Sequence, residues 1–248
     1  MSATRTTLLT RTALRAATCV AVAGIALASP RGASATPMEI SADINGVPVL
    51  LANDSATPNT ISFSQTLGGV VVSGELATQT NGTSNILNSS AVTIHNTNSF
   101  SVTIDVALSA QNFTGPDNTI SLSSSGTWEN TAGSVMTQNW YDDPHNVLGG
   151  FTPSDTPGNL VGTYTSPAST GVTSSFAFSP GSAPLAIPDT GLFSETEEWS
   201  YTLAAGGSLV SRGQTEIKTN VPEPASLLLL GAGMVGLGLL RRSKKNMC

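Results

Sequence analysis

Apolar and polar residues alternate along the middle of this chain. In "SFSVTIDVALSA" the residues Phe100, Val102, Ile104, Val106 and Leu108 fall on one face, and Ser99, Ser101, Thr103, Asp105 and Ala107 on the other. A period of two is the pattern of a half-buried strand. Similar runs occupy 60–67, 69–78, 91–96, 119–125, 159–165, 172–178 and 197–204, and Trp199 and Tyr201 share a face of the last. β-Branched residues are dense and helical periodicity is nearly absent. Asn45-Gly46 between two such runs suits a type I′ hairpin, and Gly68-Gly69 and "TGPDN" punctuate others. These features predict an all-β fold, an antiparallel β-sandwich of jelly-roll or Ig-like type. The stretch "YDDPHNVLGGFTPSDTPGN", 141–159, breaks the rhythm and predicts a long loop or a linker. The strand-rich segment beyond that loop is too short to be stable alone, so 36–220 is expected to form one domain.

The two ends read differently. Arg5, Arg11 and Arg15 precede an apolar stretch over 16–28 and the small-residue run "GASAT". That order is a secretory signal peptide over 1–35, with Ala33 and Ala35 flanking the cleavage site. It implies signal peptidase and the Sec export machinery as partners. At the other end, 225–240 is uncharged and rich in Leu and Gly. As a helix it would measure about 24 Å, against a hydrocarbon core of about 30 Å, so it predicts one short transmembrane helix. Arg241, Arg242, Lys244 and Lys245 form a basic stop that puts 241–248 on the cytoplasmic side.

Setting the ends aside changes the charge. Within 36–220 only Arg212 and Lys218 are basic against 15 acidic residues, a formal −13, although the whole chain carries −6. Such a surface repels phosphate backbones and argues against nucleic acid as a partner. Cys19 and Cys248 lie in the two end segments, so 36–220 contains no cysteine for a disulfide.

The last segment, 221–248, opens on Val221, Pro222, Glu223, Pro224, Ala225 and Ser226. Pro222 and Pro224 keep the chain extended ahead of the apolar run. A Pro-Glu-Pro at 222–224, a short span and a basic stop together resemble the PEP-CTERM sorting signal of Gram-negative bacteria. The resemblance implies recognition by an exosortase, a membrane transpeptidase-like protease. It also implies inner-membrane anchoring before processing, then delivery to the cell surface or extracellular matrix. The same tail is sometimes labelled after ice-binding proteins, but "GTYTSPAST" is too short to give the flat Thr array that an ice-binding face needs.

Catalytic motifs are sparse. No G-x-S-x-G, H-E-x-x-H, Cys pair, P-loop or dinucleotide fingerprint occurs. The densest group of candidate ligands is "DDPHN". Two readings of it stay open: a calcium site through Asp142, Asp143, Asn146 and Asp155, or a solvated loop of ordinary turn formers. Asp142, Glu195, Glu197 and Glu198 offer carboxylates for a glycan hydrolase, yet carboxylates are first of all a solubilising surface. Trp128, Trp140, Tyr141, Trp199 and Tyr201 could stack on sugars or pack a core. The expectation is an exported, non-enzymatic cell-surface or exopolysaccharide-matrix protein with no cofactor unless calcium. The alternative is a carbohydrate-binding or calcium-dependent adhesive module, with a glycan hydrolase behind both.

Overall fold

The computed structural model describes residues 37–54, 59–81, 84–149 and 155–218. The signal peptide, with Ala33 and Ala35, and the tail from Val221 with its transmembrane helix and basic stop lie outside the described residues.

Among the described residues thirteen strands form two antiparallel sheets. They are β1 (Met38–Ile44), β2 (Val47–Asp54), β3 (Thr60–Leu67), β4 (Val70–Asn81), β5 (Ser84–Asn96), β6 (Val102–Thr114), β7 (Asp117–Ala132), β8 (Met136–Asp143), β9 (Asn159–Thr165), β10 (Thr170–Phe178), β11 (Ser182–Asp189), β12 (Leu192–Leu203) and β13 (Ser208–Lys218). One sheet runs β2-β1-β6-β12-β8-β9; the other runs β10-β7-β13-β5-β4-β3, with β11 added beside β7. Among the described residues there is no helix, hence none long and apolar enough to cross a membrane.

The alternation read from the sequence sets the two faces. On β13, Leu209, Ser211, Gly213, Thr215 and Ile217 point inward and the residues between them outward. On β6 the inward set is Val102, Ile104, Val106 and Leu108, as the period of two requires. Phe100 departs from that expectation: β6 begins at Val102, and Phe100 sits in the preceding bend, 58% exposed. The Asn45-Gly46 turn forms with both residues at positive φ, 54° and 83°, and Asp43 accepts a hydrogen bond from the Gly46 amide.

Both inner faces supply one apolar core. At one edge it is aromatic: Trp140 on β8 stacks on Phe178 of the facing sheet at 5.9 Å between centroids, and Tyr164 on β9 stacks on the same ring at 4.5 Å. Trp199 and Tyr201 do share a buried face, each 1% exposed.

The predicted loop at 141–159 starts too early. Tyr141, Asp142 and Asp143 are the last residues of β8, paired with β12, and the connection to β9 begins only at Pro144. Gly158 ends that connection at φ +91°, where a Cβ would stand 2.5 Å from the Asp142 carbonyl oxygen, so only glycine lets the chain pass so close to β8.

Candidate functional site

Strand pairing brings carboxylates together at one end of the sandwich. In the β8–β12 ladder Asp142 stands opposite Glu195, Trp140 opposite Glu197, and Gln138 opposite Trp199. Directly opposed residues project to the same side, here the interior, where all six are buried. On the facing sheet Asp189 of β11 lies opposite Asp117 of β7. Two like-charged cross-strand pairs, one from each sheet, therefore converge, and each of the four residues feels the others electrostatically.

All four are at most 2% exposed. No donor group reaches either oxygen of Glu195 or of Asp189, or Asp142 Oδ1; the contact of Asp189 is with the Asp142 carboxyl itself. Asn85, at the start of β5, donates through Nδ2 to the Asp117 carboxylate and to the Thr114 carbonyl. Its Oδ1 is buried without a partner. Among the described residues Lys218 pairs with Glu216 and His145 with Asp143, and no basic side chain pairs with Asp142, Asp189 or Glu195.

The electrostatic consequence is large. Burial, reinforced by Asp143, pushes Asp142 up to about 7, and burial with repulsion from Asp142 and Asp117 pushes Asp189 up to about 8. The two carboxyls are close enough to share a proton. Glu195 is driven well above the usual carboxylate range, first by burial and then by Asp142. Further along the same face Glu197 is also fully buried, but Thr215 Oγ1 donates to its Oε1 at 3.0 Å, and burial raises it to about 8.

The four residues singled out for calcium in the sequence are dispersed. Asp142 joins the interior cluster. The Asp143 carboxylate instead closes a turn, accepting from the His145 and Val147 amides at 3.0 Å each. Asn146 holds β6, its Oδ1 accepting from the Asn112 amide at 2.7 Å and its Nδ2 donating to Asn112 Oδ1 at 2.8 Å. Asp155 is exposed. Reading the carboxylates as a solubilising surface fails for Glu195, Glu197 and Glu198, which are 0%, 0% and 3% exposed. Asp117, Asp189 and Asn85 carry no such signal in the sequence, because in "TGPDN" and "IPDTG" an Asp beside Pro and Gly reads as a turn former.

The outer face of the seven-stranded sheet is shallowly hollowed, with polar and apolar residues mixed. One cavity of about 240 Å³ is lined by Asn59, Thr60, Ala77, Thr78, Gln79, Ile86 and Asn88; a second of about 300 Å³ is lined by Asn88, Ser123, Ser125, Ala177, Phe178, Arg212 and Gln214 among others. They meet at Asn88, and neither is lined by a carboxylate. Arg212 is exposed and has no acidic partner among the described residues.

Comparison with known proteins bears on the tail first. A family model described as the PEP-CTERM protein-sorting motif matches residues 220–243. The chain thus carries this sorting signal, which implies export and recognition by an exosortase. No curated protein matches the chain. Solved structures similar to it include TmCBM61 in complex with beta-1,4-galactotriose, at 11% identity and TM-score 0.31, covering 62% of this chain and 91% of that one. A family 11 carbohydrate-binding module from Clostridium thermocellum in complex with a mixed-linked tetrasaccharide has 11% identity and TM-score 0.25, over 75% and 98% of the two chains. The VP2 subviral particle of infectious bursal disease virus has 11% identity and TM-score 0.31, over 73% and 55%.

Proposed function

We propose that this chain is an exported, non-enzymatic protein of the cell surface or exopolysaccharide matrix of a Gram-negative bacterium, delivered there through its C-terminal tail. The observation that carries this reading is the sorting motif at residues 220–243. Signal peptidase acts after Ala35, the tail holds the β-sandwich at the inner membrane, and exosortase then acts near Pro222 and Pro224. The strong negative charge of 36–220 keeps the released domain soluble and away from anionic lipid. A non-enzymatic role is supported by the burial of the acids: glycoside hydrolysis needs two carboxyls flanking a bound sugar, whereas Asp142, Glu195 and Glu197 face the interior. Mass spectrometry of the mature protein from cells with and without exosortase tests the reading. The expected product ends within 221–226 only when exosortase is present; an intact tail in both overturns it.

A second reading, carbohydrate binding, is favoured by the two adjoining cavities. Hydroxyl and amide side chains at the two cavities, with a guanidinium that has no acidic partner among the described residues, offer a polyhydroxylated chain hydrogen-bond partners, and Ala77, Ile86 and Phe178 between them offer apolar surface for its ring faces.

A further inference from the structure

We infer that the outer face of the seven-stranded sheet binds a carboxylate-bearing polysaccharide, a uronic-acid polymer, with Arg212 receiving the carboxylate. This rests on the carbohydrate-binding reading and names its ligand class. Strand pairing builds the site as two rows of opposed side chains. One row runs from Ala177 of β10 through Ser125 of β7 to Arg212 of β13; the other runs from Ser123 of β7 through Gln214 of β13 to Asn88 of β5. Directly opposed residues project to one side of a sheet, so a guanidinium, two hydroxyls and two amides open on the same cavity. β5 carries an extra residue beside these rows. Its pairing steps from Val92 to Ser89 while β13 advances only from Ser211 to Gly213, and Ala91 is held there at φ 48°. A bulge bends its strand and re-aims nearby side chains, and a left-handed alanine is a conformation that the surrounding structure must enforce. Arg212 is the residue of β13 that faces this bulge.

Charge selects the ligand. Of the two basic residues in 36–220, Lys218 is held by Glu216 at 2.8 Å, which leaves Arg212 with no acidic partner among the described residues. The outward carboxylate next to Gln214 along β13 is that same Glu216, occupied by Lys218 and by the Ser84 hydroxyl at 2.8 Å. Neither cavity is lined by a carboxylate, so an anion seated on Arg212 meets no like charge in the lining. In a segment of formal −13 this is a local reversal of sign. The planar fork of arginine fits a carboxylate through two parallel N–H···O bonds, while the hydroxyls and amides suit sugar hydroxyls. At physiological ionic strength charges more than about 8 Å away are largely screened, so the lining outweighs the net charge at contact.

The test uses the full chain purified in mild detergent, with EDTA present, titrated calorimetrically with oligogalacturonate and with oligoalginate, each also as its methyl ester. The esters keep the sugar hydroxyls and remove the charge. At least one free acid is expected to bind about tenfold more tightly than its ester. Arg212→Ala is expected to abolish that preference and Arg212→Lys to restore only part of it, because lysine keeps the charge without the fork. Arg212 is exposed, so both variants should fold, which tryptophan fluorescence checks. Equal binding of acid and ester, or an unchanged preference in Arg212→Ala, overturns the inference and leaves the carbohydrate-binding reading standing. Binding of neither form of either polymer overturns both.

Discussion

Asp142 and Glu195 occupy one cross-strand pair of the β8–β12 ladder, so two carboxyl groups face the same side of the sheet and neither reaches water. Like charges directly opposite each other destabilise a ladder even at a surface, and here no solvent screens them. Asp117 and Asp189 repeat the arrangement on the other sheet. At this end of the sandwich folding works against electrostatics, while the Trp140–Phe178 edge follows ordinary packing.

Replacing Glu195 by glutamine keeps the shape and removes the charge. In EDTA at pH 8 the Glu195→Gln chain is expected to be more stable than the wild type by about 1–2 kcal/mol, because an uncompensated buried acid is replaced by a neutral group. Urea unfolding followed by tryptophan fluorescence measures this; a loss of stability would mean that the acid makes a favourable contact as a free carboxyl.

Acid is expected to stabilise the fold. Glu198 is raised from its ordinary 4.5 to about 8, by burial first and then by Asp105 and Asp155, with the Tyr141 hydroxyl opposing in part. A carboxyl raised on folding contributes stability that is complete below its unfolded value and is lost as pH climbs through the folded one. The urea midpoint in EDTA should therefore fall between about pH 4.5 and 8, with Glu198 accounting for about 2 kcal/mol of the decline. Glu197, raised to about 8 by burial, acts in the same direction. Glu198→Gln should flatten the profile, which a pH series of urea melts would read directly.

Trp140 tests the packed edge. It is fully buried, stacks on Phe178 and lies on the same strand face as Asp142. Trp140→Ala should cost about 3–5 kcal/mol through lost transfer energy and the cavity left behind. Equilibrium unfolding checks this, and a cost under about 1 kcal/mol would place Trp140 outside the core.

Much of this fold is legible in the sequence because period-two alternation is a direct image of a two-layer structure. The runs at 60–67 and 159–165 coincide with β3 and β9. β11 and β13 escape notice for identifiable reasons. β11 is "SAPLAIPD", whose two prolines argue against a strand and are tolerated there because it pairs on one side only, with β7. β13 has Ser211, Gly213 and Thr215 on its inward face, small polar residues that leave room for buried partners such as Glu197. The acid cluster left a partial trace: Glu195 and Glu197 stand in step with Trp199 and Tyr201, so the alternation that buries the aromatics buries the acids too. Asp117 and Asp189 could not be joined to them from sequence, because that proximity arises from sheet order and not from spacing along the chain.

Arg212 decides between a bare scaffold and a glycan-binding face. It lines one cavity with Ser123, Ser125, Phe178 and Gln214, and that cavity meets a second at Asn88. An exposed guanidinium with no acidic partner among the described residues can donate in parallel to the carboxylate of a uronic acid. If the strip binds matrix polysaccharide, Arg212→Ala should weaken binding of an acidic polysaccharide about tenfold, as expected for loss of one charge-assisted contact, while a neutral glucan is affected less. Asn88→Ala, at the junction of the two cavities, should weaken both. Affinity electrophoresis in gels cast with each polymer reads the difference, and equal mobility of the wild type and both variants would leave the sheet face as scaffold alone.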